Sequence, residues 1–77
     1  MLTEKKVISI ISKSLKTKIT INSNTNNIES WDSIGHLEIL ASLDKLSKGK
    51  ISKINEISNT TSVKSIIRIL KKKNIIK

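Results

Sequence analysis

The chain contains no cysteine and no proline, two glycines and a single aromatic residue, Trp31. Without cysteine there is no disulfide, no thiolate metal site and no cysteine nucleophile, so any thiol chemistry has to come from a group attached to the chain. The shortage of aromatics leaves Ile, Leu and Val to do nearly all the apolar work. It also leaves nothing beyond Trp31 for stacking on nucleic-acid bases. One histidine and no recognisable acid–base pair argue against catalysis by the polypeptide itself. No apolar run approaches the length needed to span a membrane. The N-terminal stretch lacks the unbroken apolar core and small-residue cleavage site of a signal peptide, so a cytoplasmic location and no membrane insertion are expected.

What is present is charge, and it is segregated. The 77 residues carry a formal net charge of +9, which by itself points to an anionic partner such as nucleic acid. Residues 19–44, however, hold Glu29, Asp32, Glu38 and Asp44 with no lysine or arginine. The flanking segments are rich in lysine. An acidic island therefore sits inside a basic chain of one domain, residues 1–77, whose length allows only a modest core that buries roughly 60–65% of the unfolded surface.

Apolar spacing predicts helices. Residues 3–16 form a first helix, with Thr3 as N-cap and an apolar stripe of Val7, Ile8, Ile11 and Leu15, with Ile10 at its flank. A long polar connection follows over residues 17–32. Asn and Ser side chains there compete for backbone hydrogen bonds and favour turns, while Ile19 and Ile21 pin the loop to the core and Ile28 and Trp31 anchor its far end. A second helix covers residues 33–47, stopped near Gly49. A short third helix over about residues 53–58 uses Ile51, Ile54 and Ile57, spaced by three. The last helix runs from about Ser62 to Lys73, capped by Thr61 and striped by Val63, Ile66, Ile67 and Leu70; Lys71, Lys72 and Lys73 suit the negative end of its dipole.

The second helix is apolar on two sides. At about one hundred degrees per residue, Ile39, Leu40, Leu43 and Leu46 share one side, whereas Ile34, Leu37 and Ala41 lie nearly opposite, beside Glu38, Asp44 and Lys45. A helix on a small core needs only the first stripe. The second is either buried by another element or kept outside for a partner. At the start of the helix, Ser33 is read either as an exposed hydroxyl placed for modification or, with Asp32, as an ordinary helix cap. His36 falls on the core-facing side of the first turn, where packing competes with a role in chemistry or metal binding. Trp31 is a core anchor or, alternatively, a ligand platform.

The run Trp31-Asp32-Ser33-Ile34-Gly35-His36-Leu37-Glu38 resembles the acyl carrier protein family, whose hallmark Asp-Ser-Leu is here Asp32-Ser33-Ile34. The long first loop, short third helix and threonine-capped last helix extend the resemblance over essentially the whole chain. It implies an all-α fold, a small four-helix bundle of the acyl-carrier type. It further implies 4′-phosphopantetheine attached to Ser33, carrying acyl or aminoacyl groups as thioesters. A phosphodiester at Ser33 would lie at a helix N-terminus, where free backbone N–H groups favour negative charge. Partners implied are a phosphopantetheinyl transferase and the enzymes that load and use the cargo, met by a monomeric carrier. Contact residues implied are Asp32, Glu38 and Asp44 with the apolar Ile34, Leu37 and Ala41. Exposed ion pairs contribute roughly 0–1 kcal/mol each, so the acids would steer while the apolar trio supplies most of the contact energy.

This chain departs from the family in its basic charge, in Gly35 and Lys45 standing where acids are common, and in Leu46-Ser47 replacing the usual phenylalanine. Those departures suit a carrier of a specialised pathway better than one of housekeeping fatty-acid synthesis. Two other readings use the same residues differently. One is a small basic nucleic-acid-binding module built on a helix–turn–helix around residues 33–70, which the acidity of the second helix disfavours. The other is an unmodified carrier-like adaptor without a prosthetic group.

Overall fold

Each α-helix of the computed structural model, which describes residues 3–76, begins at a residue whose side chain replaces a missing helical hydrogen bond. Thr3 accepts from the Lys6 amide and opens α1, Glu4–Leu15. Asp32 opens α2, Ser33–Leu46, by accepting from the Gly35 amide. Ser62 opens α3, Val63–Lys72, by accepting from the Ser65 amide. The cap expected at Thr61 thus falls one residue later. Thr61 instead gives its carbonyl to the Thr25 amide at 2.9 Å, part of a single antiparallel bridge between Asn24 and Ser62 that fastens the first loop to the start of α3.

Between α2 and α3 the expected third helix is replaced by two 3-10 turns, Ile51–Lys53 and Asn55–Asn59, interrupted at Ile54, whose backbone is extended. The reason lies in the sequence. Residues three apart align on a 3-10 helix, which turns every three residues, and Ile51, Ile54 and Ile57 are all buried. The described chain is therefore all-helical with three α-helices and two 3-10 turns.

The core is aliphatic apart from Trp31. It gathers Val7, Ile11 and Leu15 from α1, Ile39 and Leu43 from α2, the three isoleucines of the 3-10 turns, and five residues of α3. Full burial of such a side chain contributes roughly 1.5–3 kcal/mol. Several positions depart from the apolar stripes expected of the sequence, among them Ile69 of α3, which is buried outside the expected stripe of that helix. Ile10 is buried while Ile8 is only partly so, because α3 and α2 both press on α1 and widen its buried face. Leu46, at the end of α2, is 49% exposed, although Ser47 beside it is buried. Ile21 is also exposed, and Ile19 alone pins the early loop.

The asparagine-rich loop satisfies its own backbone. Asn24 Oδ1 accepts from the amides of Asn26 and Asn27, and Asn27 Oδ1 accepts in return from the Asn24 amide. Ser23 is buried with its hydroxyl accepting from the Thr20 amide. A connection this polar is held in place because its donors find partners within the loop.

Candidate functional site

The start of α2 is held by three contacts that converge from distant parts of the chain. The Ser30 hydroxyl donates to the Leu15 carbonyl at 2.9 Å, drawing the end of the loop onto the end of α1. The Ser30 carbonyl in turn lies against Gly35, so closely that a Cβ there would come within 2.3 Å of its oxygen and 2.8 Å of Leu15 Cδ2. Position 35 therefore accepts only glycine without rearrangement. The glycine at this position has a packing reason: no side chain fits between α2 and the loop.

Trp31 and His36 form the second fixing point. Trp31 is 3% exposed, and its indole N–H donates to His36 Nδ1 at 3.1 Å. His36 Nε2 lies 3.2 Å from the Ile57 carbonyl. An indole nitrogen only donates and a carbonyl only accepts, so the imidazole carries its proton on Nε2 and accepts at Nδ1. The two rings also stack, with planes 20° apart. His36 is thus a structural bridge from the loop, through α2, to the second 3-10 turn, and Trp31 is a core anchor. Among the described residues no group of three His, Cys, Asp or Glu is placed to hold a metal ion.

Held in this way, Asp32 and Ser33 have different tasks. Asp32 Oδ1 accepts from the Gly35 amide at 2.8 Å and caps the helix. Ser33, the first helical residue, is exposed, and among the described residues its hydroxyl makes no hydrogen bond. The residue that caps and the residue that is open to solvent are neighbours but distinct.

The second apolar stripe of α2 lies outside. Ile34 is 70% exposed and Leu37 66%, and Ala41 is exposed as well. Leu37 and Ala41 border a shallow groove between α2 and the 3-10 turns, floored by Ile54 and Ile57. Glu38 is exposed beside this stripe. Asp44 is not equally available, because it is half-buried and its Oδ1 accepts from the Ser52 amide at 2.8 Å, tying the turn after α2 back to the helix. Of the six residues expected to meet a partner, Asp32, Ile34, Leu37, Glu38 and Ala41 share an exposed surface running from Ser33, whereas Asp44 closes a turn.

Ser30, Leu15 and the Trp31–His36–Ile57 bridge were not singled out as positioning groups by sequence patterns. Ile57 meets His36 through a backbone carbonyl, which any residue offers, 21 positions away. The nucleic-acid reading keeps one of its supports, the basic charge, and loses the other, the helix–turn–helix. Residues 47–62, with two 3-10 turns, separate α2 from α3, whereas a helix–turn–helix uses a turn of about three or four residues. The single aromatic ring is buried. No described helix is long and apolar enough to cross a membrane.

Comparison with protein-family models, with curated proteins and with solved structures finds no match for this chain.

Proposed function

We propose that the chain is a stand-alone carrier protein that receives a 4′-phosphopantetheine arm on Ser33 and presents acyl or aminoacyl groups to partner enzymes. The observation that carries this reading is the division of labour at the start of α2: Asp32 caps the helix, leaving the exposed Ser33 hydroxyl without an internal task. In attachment, Ser33 Oγ forms a bond to the phosphorus that bears the pantetheine of coenzyme A. The diphosphate bridge breaks, 3′,5′-adenosine diphosphate leaves, and the serine proton passes to a base of the transferase.

The residues present suit such a group. Asp32 engages the Gly35 amide, so the Ser33 and Ile34 amides at the first turn remain for phosphate oxygens, where the helix dipole favours negative charge. The bound arm supplies a terminal thiol, and with it the thioester chemistry that a cysteine-free chain lacks. Ile34, Leu37 and Ala41 offer partner enzymes an apolar strip, with Glu38 and Asp32 at its margin to steer basic surfaces. In this reading the two 3-10 turns stand in place of the short third helix of an acyl-carrier four-helix bundle, and the carrier works as a monomer in the cytoplasm.

Incubation with coenzyme A and a broad-specificity phosphopantetheinyl transferase tests the proposal. Intact mass spectrometry is expected to show one added phosphopantetheine on the wild-type chain and none on Ser33→Ala, which stays folded. Wild-type protein left unmodified by several such transferases would sink the carrier reading in favour of an unmodified adaptor.

A further inference from the structure

We propose that the end of the molecule opposite Ser33 is a docking face for anionic lipid surfaces. α1 and α2 run in opposite directions: Leu15 meets Gly35 near the start of α2, and the first turns of α1 lie beside the end of α2. Because α2 has 14 residues, its far end is about 20 Å along the helix axis from Ser33. There Lys6 of α1 and Lys45 of α2 flank a shallow groove whose apolar lining is Ile10 and Leu46 and which runs back along α1 to Lys13. Lys48 and Lys50 follow in the turn that leaves α2.

All five lysines are exposed, and among the described residues none is in an ion pair. The acids that reach this end are engaged elsewhere. Glu4 pairs with Lys71 at 3.4 Å, and the half-buried Asp44 accepts from the Ser52 amide. The acidic residues of the first loop and early α2 lie toward Ser33, where Lys16, Lys18 and Lys64 offset them, so the excess of positive charge lies at the other end. At the positive end Leu46 projects with 49% of its surface open, an aliphatic side chain ringed by cations.

Charge complementarity selects a polyanion, and the make-up of the face selects a lipid headgroup layer over a protein. A stable protein interface buries well over 1,000 Å² and is anchored by aromatic or arginine side chains, with lysine depleted from its centre. Two aliphatic residues and five lysines do not provide that. A bilayer surface requires neither a deep pocket nor register. Each lysine near it raises partitioning by about fivefold, and a projecting leucine adds apolar contact with the acyl boundary. This inference does not depend on modification of Ser33.

Co-sedimentation with vesicles tests it, using phosphatidylcholine alone and phosphatidylcholine mixed in equal parts with phosphatidylglycerol. Binding is expected to the mixed vesicles only, and to fall as salt screens the surface. The triple change Lys6→Gln, Lys45→Gln and Lys48→Gln is expected to weaken partitioning by about a hundredfold, the product of three lysine contributions. An equal charge change at Lys16, Lys18 and Lys64 should cost far less. Lys16 and Lys18 follow α1 at the Ser33 end; Lys64 opens α3, whose other end pairs with Glu4. Leu46→Ser is expected to lower binding several-fold with charge unchanged. Trp31 fluorescence and helical circular dichroism report whether each variant is folded. Equal losses from the two triple changes, equal binding to neutral vesicles, or binding to polyuridylate but not to mixed vesicles would each overturn the proposal.

Discussion

α2 and α3 draw on the same aliphatic residues and use them differently. In α3, Val63, Ile66, Ile67, Ile69 and Leu70 are all buried, and the intervening Lys64, Arg68, Lys71 and Lys72 are exposed. Folding alone accounts for that pattern. In α2 only Gly35, Ile39 and Leu43 are buried, while Ile34, Leu37 and Leu46 remain substantially open. A helix that gives its core one narrow stripe and leaves a second in water is carrying apolar surface that its own fold does not use. Apolar exposure confined to one helix marks a surface for contact.

The widest separation between the two helices is expected in stability. Leu70→Ala removes a fully buried side chain and should lower unfolding free energy by about 2–5 kcal/mol. Leu37→Ala, at an exposed position, should stay within about 0.5 kcal/mol yet impair use by the transferase. Urea denaturation and modification kinetics on both variants provide the check. Comparable destabilisation by the two changes would mean that the outer stripe of α2 is part of the core after all.

Gly35→Ala addresses how α2 is seated. The added methyl group meets the Ser30 carbonyl and Leu15, and overpacking of this kind costs about 1–3 kcal/mol. Because the strain lies one turn from Ser33, slower modification should accompany the drop in melting temperature. His36→Ala is expected to cost about 1–2 kcal/mol, because it leaves the buried Trp31 indole N–H without its acceptor. A shift in Trp31 fluorescence should report this at once, and an unchanged emission spectrum together with unchanged stability would contradict the bridge.

The smallest effect concerns pH and belongs to α3. Lys72, and after it Lys73, hold the Glu56 carboxyl below its ordinary value of 4.5, with ammonium nitrogens 3.5 and 3.4 Å from its oxygens. A carboxyl whose pKa is depressed in the folded state stabilises fully above the ordinary value and loses that contribution as pH falls through the lowered one. The group is on the surface and well screened, so the gain is small. The difference in melting temperature between wild type and Glu56→Gln should therefore be present at neutral pH and vanish on acidification below the ordinary carboxylate range. A difference that persists in acid would assign it to packing.

Much of the fold was legible because its causes are local. Thr3 and Asp32 cap where a Thr or Asp before an apolar-periodic run is expected to cap, and the helix bounds agree to within a residue or so. Four residues of the α3 stripe are legible from their spacing, whereas Ile69, at its flank, is buried without being expected there. The third helix was misread because spacing by three is shared by a loose α-helix and a 3-10 turn over so short a span. Leu46 shares the core-facing stripe by periodicity yet is 49% exposed, because periodicity reports direction around the helix and says nothing of how far neighbouring elements cover a given side chain. Asp44 was grouped with the surface acids because its partner, the Ser52 amide, is a backbone group beyond a turn.

The candidate site divides in the same way. The sequence by itself determined which residues stand at the start of α2, that a cap was available there, and that two apolar stripes shared one helix. Periodicity and capping depend on neighbours within a turn or two. Only the tertiary structure decided which stripe is buried, that position 35 has no room for a Cβ against Leu15, and that the Trp31–His36 pair is bound to Ile57. Those outcomes depend on groups 15 to 21 residues apart being brought within contact distance. No local pattern encodes that approach, because it is set by how the whole core closes.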